Sequence, residues 1–213
     1  PVLEFDHGSY ALRISSLKDL RFIEQWYRMG KARNITEFKE AMKIHAIPMF
    51  NTGYADKDGK LYYVYNAKIP KRDSKYVWNE ILPGENKETL WYDYIPFDRL
   101  PYVYDPLEGF FQNCNSSPYL ATGSKVDVSK PLPAWTGIET HQTNRALRSL
   151  ETFGVDSSIT REEFFDYKYD VEYSRESIIA SVRDRYLKEM NKQDIPDELS
   201  KAMQSHAKQS NAK

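Results

Sequence analysis

Gly109-Phe110-Phe111-Gln112-Asn113-Cys114-Asn115-Ser116-Ser117-Pro118 is the stretch that decides how this chain is read. Gly109 to Cys114 reads as a short strand, and Ser116-Ser117-Pro118 reads as the turn that ends it. Two asparagines stand at the junction. Asn-x-Asn-Ser before proline is common in turns, where the side chain bonds nearby backbone, and that is the reading for Asn113. Asn115 has a second option. At a strand end its carboxamide can be held as an outward hydrogen-bond donor. Taken alone, the pair does not choose between these uses.

Upstream, residues 70–108 carry Leu82-Pro83-Gly84, Ile95-Pro96-Phe97, Leu100-Pro101 and Asp105-Pro106. Proline lacks the amide hydrogen that a helix needs, so no long helix fits there. The aromatic content predicts an ordered loop over a sheet. Before it lies a hairpin, with strands over Met49 to Ala55 and Leu61 to Ile69. The turn Asp56-Lys57-Asp58-Gly59 joins them, since glycine accepts a positive φ. Further back, residues 16–33 read as a helix capped by Ser16, with Leu17, Leu20, Ile23 and Tyr27 on its apolar face. Asn34 caps a second helix carrying Phe38, Met42 and His45, with Pro48 stopping it. His45 reads as a core or rim residue of that helix.

Downstream, residues 119–137 form a second irregular connection. From about Thr140 the pattern becomes helical. Gln142 to Phe153 is one helix, stopped by Gly154. Thr160-Arg161-Glu162-Glu163 is a capping box for the next, because threonine and the glutamate three residues on satisfy free amide hydrogens reciprocally. Ser174 opens a third, with Ile178, Ile179, Val182 and Tyr186 on one stripe. Pro196 begins a polar fourth that frays at 209–213. The shift divides the chain into a sheet-bearing part with a helix pair, 1–139, and a helical part, 140–213.

The 213 residues suffice to bury a core. A formal net charge of -1 argues against nucleic acid or an anionic membrane as partner. No apolar run approaches a membrane span. With Cys114 as the single cysteine, an intrachain disulfide is impossible. The histidines lack metal-ligand spacing, and no phosphate-binding glycine loop, HExxH or CxxC occurs. Sixteen Tyr and four Trp, gathered mostly before residue 110, suit a packed aromatic core or a ligand groove.

The order of the short motifs is more specific than any one of them. Tyr54-Ala55-Asp56-Lys57-Asp58-Gly59, Ile69-Pro70-Lys71-Arg72, Leu82-Pro83-Gly84, Trp91, Pro96-Phe97, Leu100-Pro101, Asp105-Pro106-Leu107-Glu108-Gly109 and Asn113-Cys114-Asn115 follow one another. This series resembles part of the β chain of the penicillin amidase family of N-terminal-nucleophile acylases. The likeness covers about residues 1–190. It implies an α+β fragment of the family's four-layered αββα sandwich. It also implies amide hydrolysis by an N-terminal serine, whose own amino group takes the hydroxyl proton.

By that resemblance Asn115 is the side-chain donor of the oxyanion hole. Arg145, in Thr143-Asn144-Arg145-Ala146-Leu147-Arg148, orders the site; it competes with a helix-surface reading, and Arg148 takes the role if the register slips. Phe50 and Ile14 fall where the family lines its acyl pocket, against plain core packing. Pro1 has neither hydroxyl nor thiol, so the serine is expected upstream, and both ends read as fragment ends of a chain inactive by itself. The implied partners are the rest of the acylase (an upstream β-chain segment and an α chain) and a small amide substrate. The motif style leans toward acyl-homoserine lactone acylases over penicillin G enzymes. A periplasmic or secreted location is implied. No redox cofactor is implied; some members hold a structural calcium, but no matching ligand set is visible. The competing reading is an aromatic-rich, non-catalytic binding module, which would need several exposed coplanar rings in residues 54–111.

Overall fold

A computed structural model describes residues 2–123 and 132–190. The chain divides into two compact units. One comprises residues up to Asn113 together with Ser117–Thr140; the other comprises Cys114–Ser116 and the chain from His141 onward. Both helix and sheet are present, so the architecture is α+β.

In the first unit, β1 (Val2–Phe5) and β2 (Gly8–Ala11) form an antiparallel hairpin. Helices α1 (Phe22–Lys31) and α2 (Ile35–Met42) pack together. A three-stranded antiparallel sheet follows, in the order β3 (Thr52–Ala55), β4 (Leu61–Val64), β5 (Tyr102–Tyr104). The expected hairpin is present in register Thr52 opposite Val64, and Gly59 in its turn has φ 78°. β4 is central and buried on both faces. Tyr62 and Val64 join Phe38, Met42, Ile69, Ile95 and Leu100 on one side. Tyr63, pointing the other way, joins Val103 and Ala121.

Several elements differ from the sequence reading. β5 lies inside the stretch expected to be irregular; Val103 is buried, and the strand takes the edge of β4 that the hairpin leaves open. Gly109 to Cys114 is not a strand. Gln112 instead spends its backbone N–H on the Ala121 carbonyl (2.7 Å) and its side-chain amide on the Leu120 carbonyl (2.9 Å). Helix α1 starts at Phe22 behind Arg21, which makes no side-chain cap. Ser16 sits in a preceding turn at φ 59° and accepts from the Asp19 N–H. The α1 face of Leu20, Ile23 and Tyr27 is exposed, because Gln25 points inward instead. The fully buried Gln25 carboxamide oxygen accepts from the N–H groups of Ala46 (2.7 Å) and Ile47 (3.1 Å).

Asn34 caps α2 as expected, its side chain accepting from the Glu37 N–H. The helix ends at Met42, ahead of both His45 and Pro48. His45 is buried, but at φ 51° it is outside the helix, and its Nε2–H donates to the Ala67 carbonyl at 3.1 Å.

The second unit contains α3 (Asn144–Glu151), α4 (Arg161–Lys168) and α5 (Ile178–Met190). The Thr160–Glu163 capping box forms as read. Ser174 does not cap α5. It is buried and donates to Glu151, while the Ser177 hydroxyl accepts from the Ala180 N–H. The stripe of Ile178, Ile179, Val182 and Tyr186 is exposed. The fourth helix expected from Pro196 and the frayed 209–213 end lie outside the described residues.

Gly53 is where sheet packing constrains the approach to the asparagine segment. A Cβ built there would stand 2.8 Å from Phe111 Cζ, and Phe111 packs on Tyr63 with ring centroids 5.8 Å apart. Gly53→Ala is expected to destabilise by about 1–3 kcal/mol through overpacking, read as a lowered urea midpoint, with the Asn113 amide resonances shifted. An unchanged midpoint and spectrum would show that Phe111 yields freely.

Burial lowers the pKa of His45 below its ordinary value, opposed in part by the bond to Ala67. The unfolded chain therefore binds the proton more readily. Stability is full above about pH 6.5, the unfolded value, and falls as pH drops below it toward the folded value. Urea midpoints should fall between pH 7 and 5, and His45→Asn, which tolerates the left-handed backbone, should flatten that slope.

Candidate active site

The second unit builds a local constellation around the start of α3. Thr143 caps the helix, its hydroxyl accepting from the Ala146 N–H at 3.3 Å. The same hydroxyl donates to the Cys114 carbonyl at 3.3 Å, so the helix cap also pins the backbone one residue before Asn115. Asn115 has φ 54°, a left-handed conformation that asparagine tolerates better than most residues. One helical turn along, Arg145 Nη2 donates to Asn115 Oδ1 at 3.0 Å.

That bond settles which end of the carboxamide faces which way. A guanidinium has only donors, so the amide atom facing it is oxygen. The two Nδ2 hydrogens then point away from Arg145. Both side chains are exposed. Arg148 does not share this duty, because its Nε lies 2.7 Å from Asp170 and its Nη1 2.8 Å from Glu151. Of the two arginines weighed in the sequence, Arg145 is the one that reaches Asn115.

A cavity of about 590 Å³ adjoins this point, with Cys114, Thr143, Arg145, Arg148, Tyr167 and Tyr173 among its walls. Burial pushes the Cys114 thiol above its ordinary pKa, with the Arg145 charge offsetting part of the effect. Among the described residues no group of three or more His, Cys, Asp and Glu side chains gathers as a cation site.

The remaining candidates belong to the first unit. Phe50 is 59% exposed and Ile14 39% exposed, so neither is plain core. Ile14 lines a cavity with Trp91 and Tyr94, and Phe50 is not among its walls. Asn113 does not bond local backbone. Its Oδ1 accepts from Asn51 Nδ2 at 3.1 Å, a side-chain bond across 62 positions, because Phe111 seated over Gly53 brings the two segments together. The sequence reading missed Thr143 as the pin for Cys114, although Thr-Asn-Arg ahead of Ala-Leu is a readable cap. It also missed Asn144, which donates to the Glu172 carbonyl and accepts from the Ser174 N–H, tying the lead-in of α5 to α3.

Architecture and site together define an α+β protein with an asparagine carboxamide held by an arginine. The sequence profile of the penicillin amidase family, described as penicillin amidase, matches residues 1–209, and the chain belongs to that family. It is 33% identical over 70 residues to the acyl-homoserine lactone acylase PvdQ of Pseudomonas savastanoi pv. phaseolicola, a match covering 32% of this chain and 9% of that protein. It is 32% identical over 101 residues to penicillin G acylase of Escherichia coli, covering 47% of this chain and 12% of that one. The fold matches the thermostable penicillin G acylase from Alcaligenes faecalis with a TM-score of 0.65 at 23% identity, over 95% of this chain and 35% of that chain. The chain thus corresponds to a minor part of the length of these relatives. No described helix is long and apolar enough to cross a membrane.

Removing the guanidinium should free the carboxamide without unfolding the unit, since the pair is exposed and worth less than about 1 kcal/mol. In Arg145→Ala the Asn115 side-chain NH₂ resonances should collapse toward free-amide positions. Unmoved resonances would mean that Arg145 does not hold the group.

Proposed function

We propose that this chain is part of an acylase that hydrolyses the amide between an acyl chain and an amine, of the β-lactam or acyl-homoserine lactone type. The observation that carries the reading is the Arg145–Asn115 bond, which turns the Asn115 Nδ2 hydrogens outward. In this mechanism a serine outside the chain, first in its own polypeptide, attacks the amide carbonyl, and its α-amino group takes the hydroxyl proton. The carbonyl oxygen becomes an oxyanion, and Asn115 Nδ2–H donates to it. A donor of this kind is worth about 3–4 kcal/mol because it is oriented before charge develops. Arg145 acts as a positioning residue. By polarising Oδ1 it also strengthens the N–H dipole aimed at the oxyanion. Collapse of the tetrahedral species expels the amine, which leaves with the proton. Water then hydrolyses the acyl-serine ester by the reverse sequence.

Phe50 and Ile14 are proposed to contact the acyl group. The remainder of the acylase, with the serine segment and an α chain, is the proposed partner; the isolated chain is expected to release no amine. A periplasmic or secreted location accompanies this reading. The binding-module alternative loses its platform. Of the aromatic rings in residues 54–111, only Tyr92 and Tyr104 are exposed, and Tyr62, Tyr63 and Trp91 are buried.

In the parent acylase, Asn115→Ala should lower kcat about 10²–10³-fold with little change in KM. Asn115→Asp is the sharper variant. It suits the left-handed backbone and keeps the Arg145 contact, yet it cannot donate and sets a negative charge beside the oxyanion, so its loss should be at least as large. A near-normal kcat in either folded variant would remove Asn115 from the oxyanion hole.

A further inference from the structure

The turn between β2 and α1 encloses a cavity of about 600 Å³. Trp91 and Tyr94 meet edge to face there, with ring centroids 5.8 Å apart, and Leu12, Ile14 and Leu17 add aliphatic wall. The polar lining is unbalanced. Arg13, Lys18 and Lys68 face it with a single carboxylate, Asp19. Asp19 is already engaged by Arg21 at 2.7 Å and by Lys68 at 3.0 Å.

Arg13 and Lys18 have no carboxylate partner among the described residues, and Arg13 is the one held in place. Its guanidinium lies over the Trp91 ring, 4.4 Å from the centroid, and Nη2 donates to the Trp91 carbonyl at 2.6 Å. No carboxylate among the described residues pairs with it. The stacking and the carbonyl bond hold the guanidinium plane in place, and among the described residues its other N–H groups have no acceptor. Ser16, two residues past Ile14, lines the same cavity at φ 59° with a hydroxyl that is shut off from water and has no hydrogen-bond partner. Arg13 is thus an oriented guanidinium without a carboxylate, facing aromatic and aliphatic walls.

We propose that this cavity binds an amphipathic carboxylate, with its oxygens on Arg13 and its hydrocarbon body against Trp91, Tyr94 and Leu17. A guanidinium matches the two oxygens of a carboxylate in one plane. The aromatic and aliphatic walls exclude a bare anion as the preferred ligand, since their burial contributes only if the ligand carries apolar surface. Of these residues only Ile14 figures in the acylase reading, and the binding needs no turnover.

The test is titration of the full 213-residue chain with octanoate, followed by calorimetry and by the indole N–H resonance of Trp91. Octanol and inorganic phosphate are the paired controls. Octanoate is expected to saturate below about 1 mM, with either control at least ~10-fold weaker. Arg13→Met keeps the side-chain length and removes the charge; it should weaken octanoate at least ~10-fold. Leu17→Trp, at an exposed position, should block binding by filling the cavity. Octanol binding as well as octanoate would reduce the site to an apolar crevice, and phosphate binding equally well would reduce it to a cation patch; either overturns the proposal. So does saturation unchanged in folded Arg13→Met, or its absence below about 10 mM in the parent chain. None of these outcomes touches the role of Asn115.

Discussion

β4 is the constraint on which the first unit rests. Three consecutive residues, Tyr62, Tyr63 and Val64, are each at most 2% exposed, so both faces of one short strand must be covered at once. Alternation along a strand sends Tyr62 and Val64 to the helix side and Tyr63 to the other. The helix pair, through Phe38 and Met42, closes the first face. The second is closed by Val103, Ala121 and Phe111, the last from the segment that leads to Asn113. That requirement draws β5 from a proline-rich stretch, demands a glycine at position 53, and fixes where Asn113 begins.

Asn115 illustrates how an exposed residue can still be ordered. It is held by three local devices rather than by burial. The Thr143 hydroxyl pins the preceding carbonyl, the left-handed backbone turns the side chain, and Arg145 takes the carboxamide oxygen. Two of the three come from the first turn of one helix, so helix and donor are positioned as a unit. The cost of a non-glycine residue at positive φ is smallest for asparagine, and the chemistry proposed for the site also calls for a carboxamide. Backbone and chemistry therefore favour the same residue type.

Arg148, Lys68 and Arg21 each have carboxylate partners, and Arg148 joins Asp170 and Glu151 in a bridge across the helical unit. Arg13 instead lies on an indole ring and a carbonyl, an arrangement that orders a guanidinium while leaving its charge uncancelled. Arg13 is an exposed residue, yet the indole and the carbonyl fix its guanidinium beside aromatic walls, and that orientation is what the proposed ligand would use.

Local signals were legible in the sequence wherever the physics is local. The Asp56–Gly59 turn, the Asn34 cap and the Thr160 capping box each depend on residues within four positions, and each forms as read. The motif order from Tyr54 to Asn115 was enough to indicate the family, because that order lies wholly in the chain. Partners distant in sequence were not legible. Helical periodicity pointed Ile23 and Tyr27 inward, yet the backbone N–H groups of Ala46 and Ile47 needed an acceptor, and Gln25 took the buried position. Aromatic content at 109–114 suggested a strand, but Tyr102–Tyr104 holds that edge of β4 and Gln112 bonds a later loop. The motif placed the role on Arg145 and kept Arg148 for a slipped register; the acids at 151 and 170 hold Arg148, and the turn at Asn115 brings its carboxamide to Arg145. What the sequence alone determined about this protein was its hairpin turn, the Asn34 and Thr160 caps and its family. Which face is buried, which strand completes the sheet and which arginine holds the asparagine were decided only in three dimensions, because each depends on hydrogen-bond partners tens of residues away.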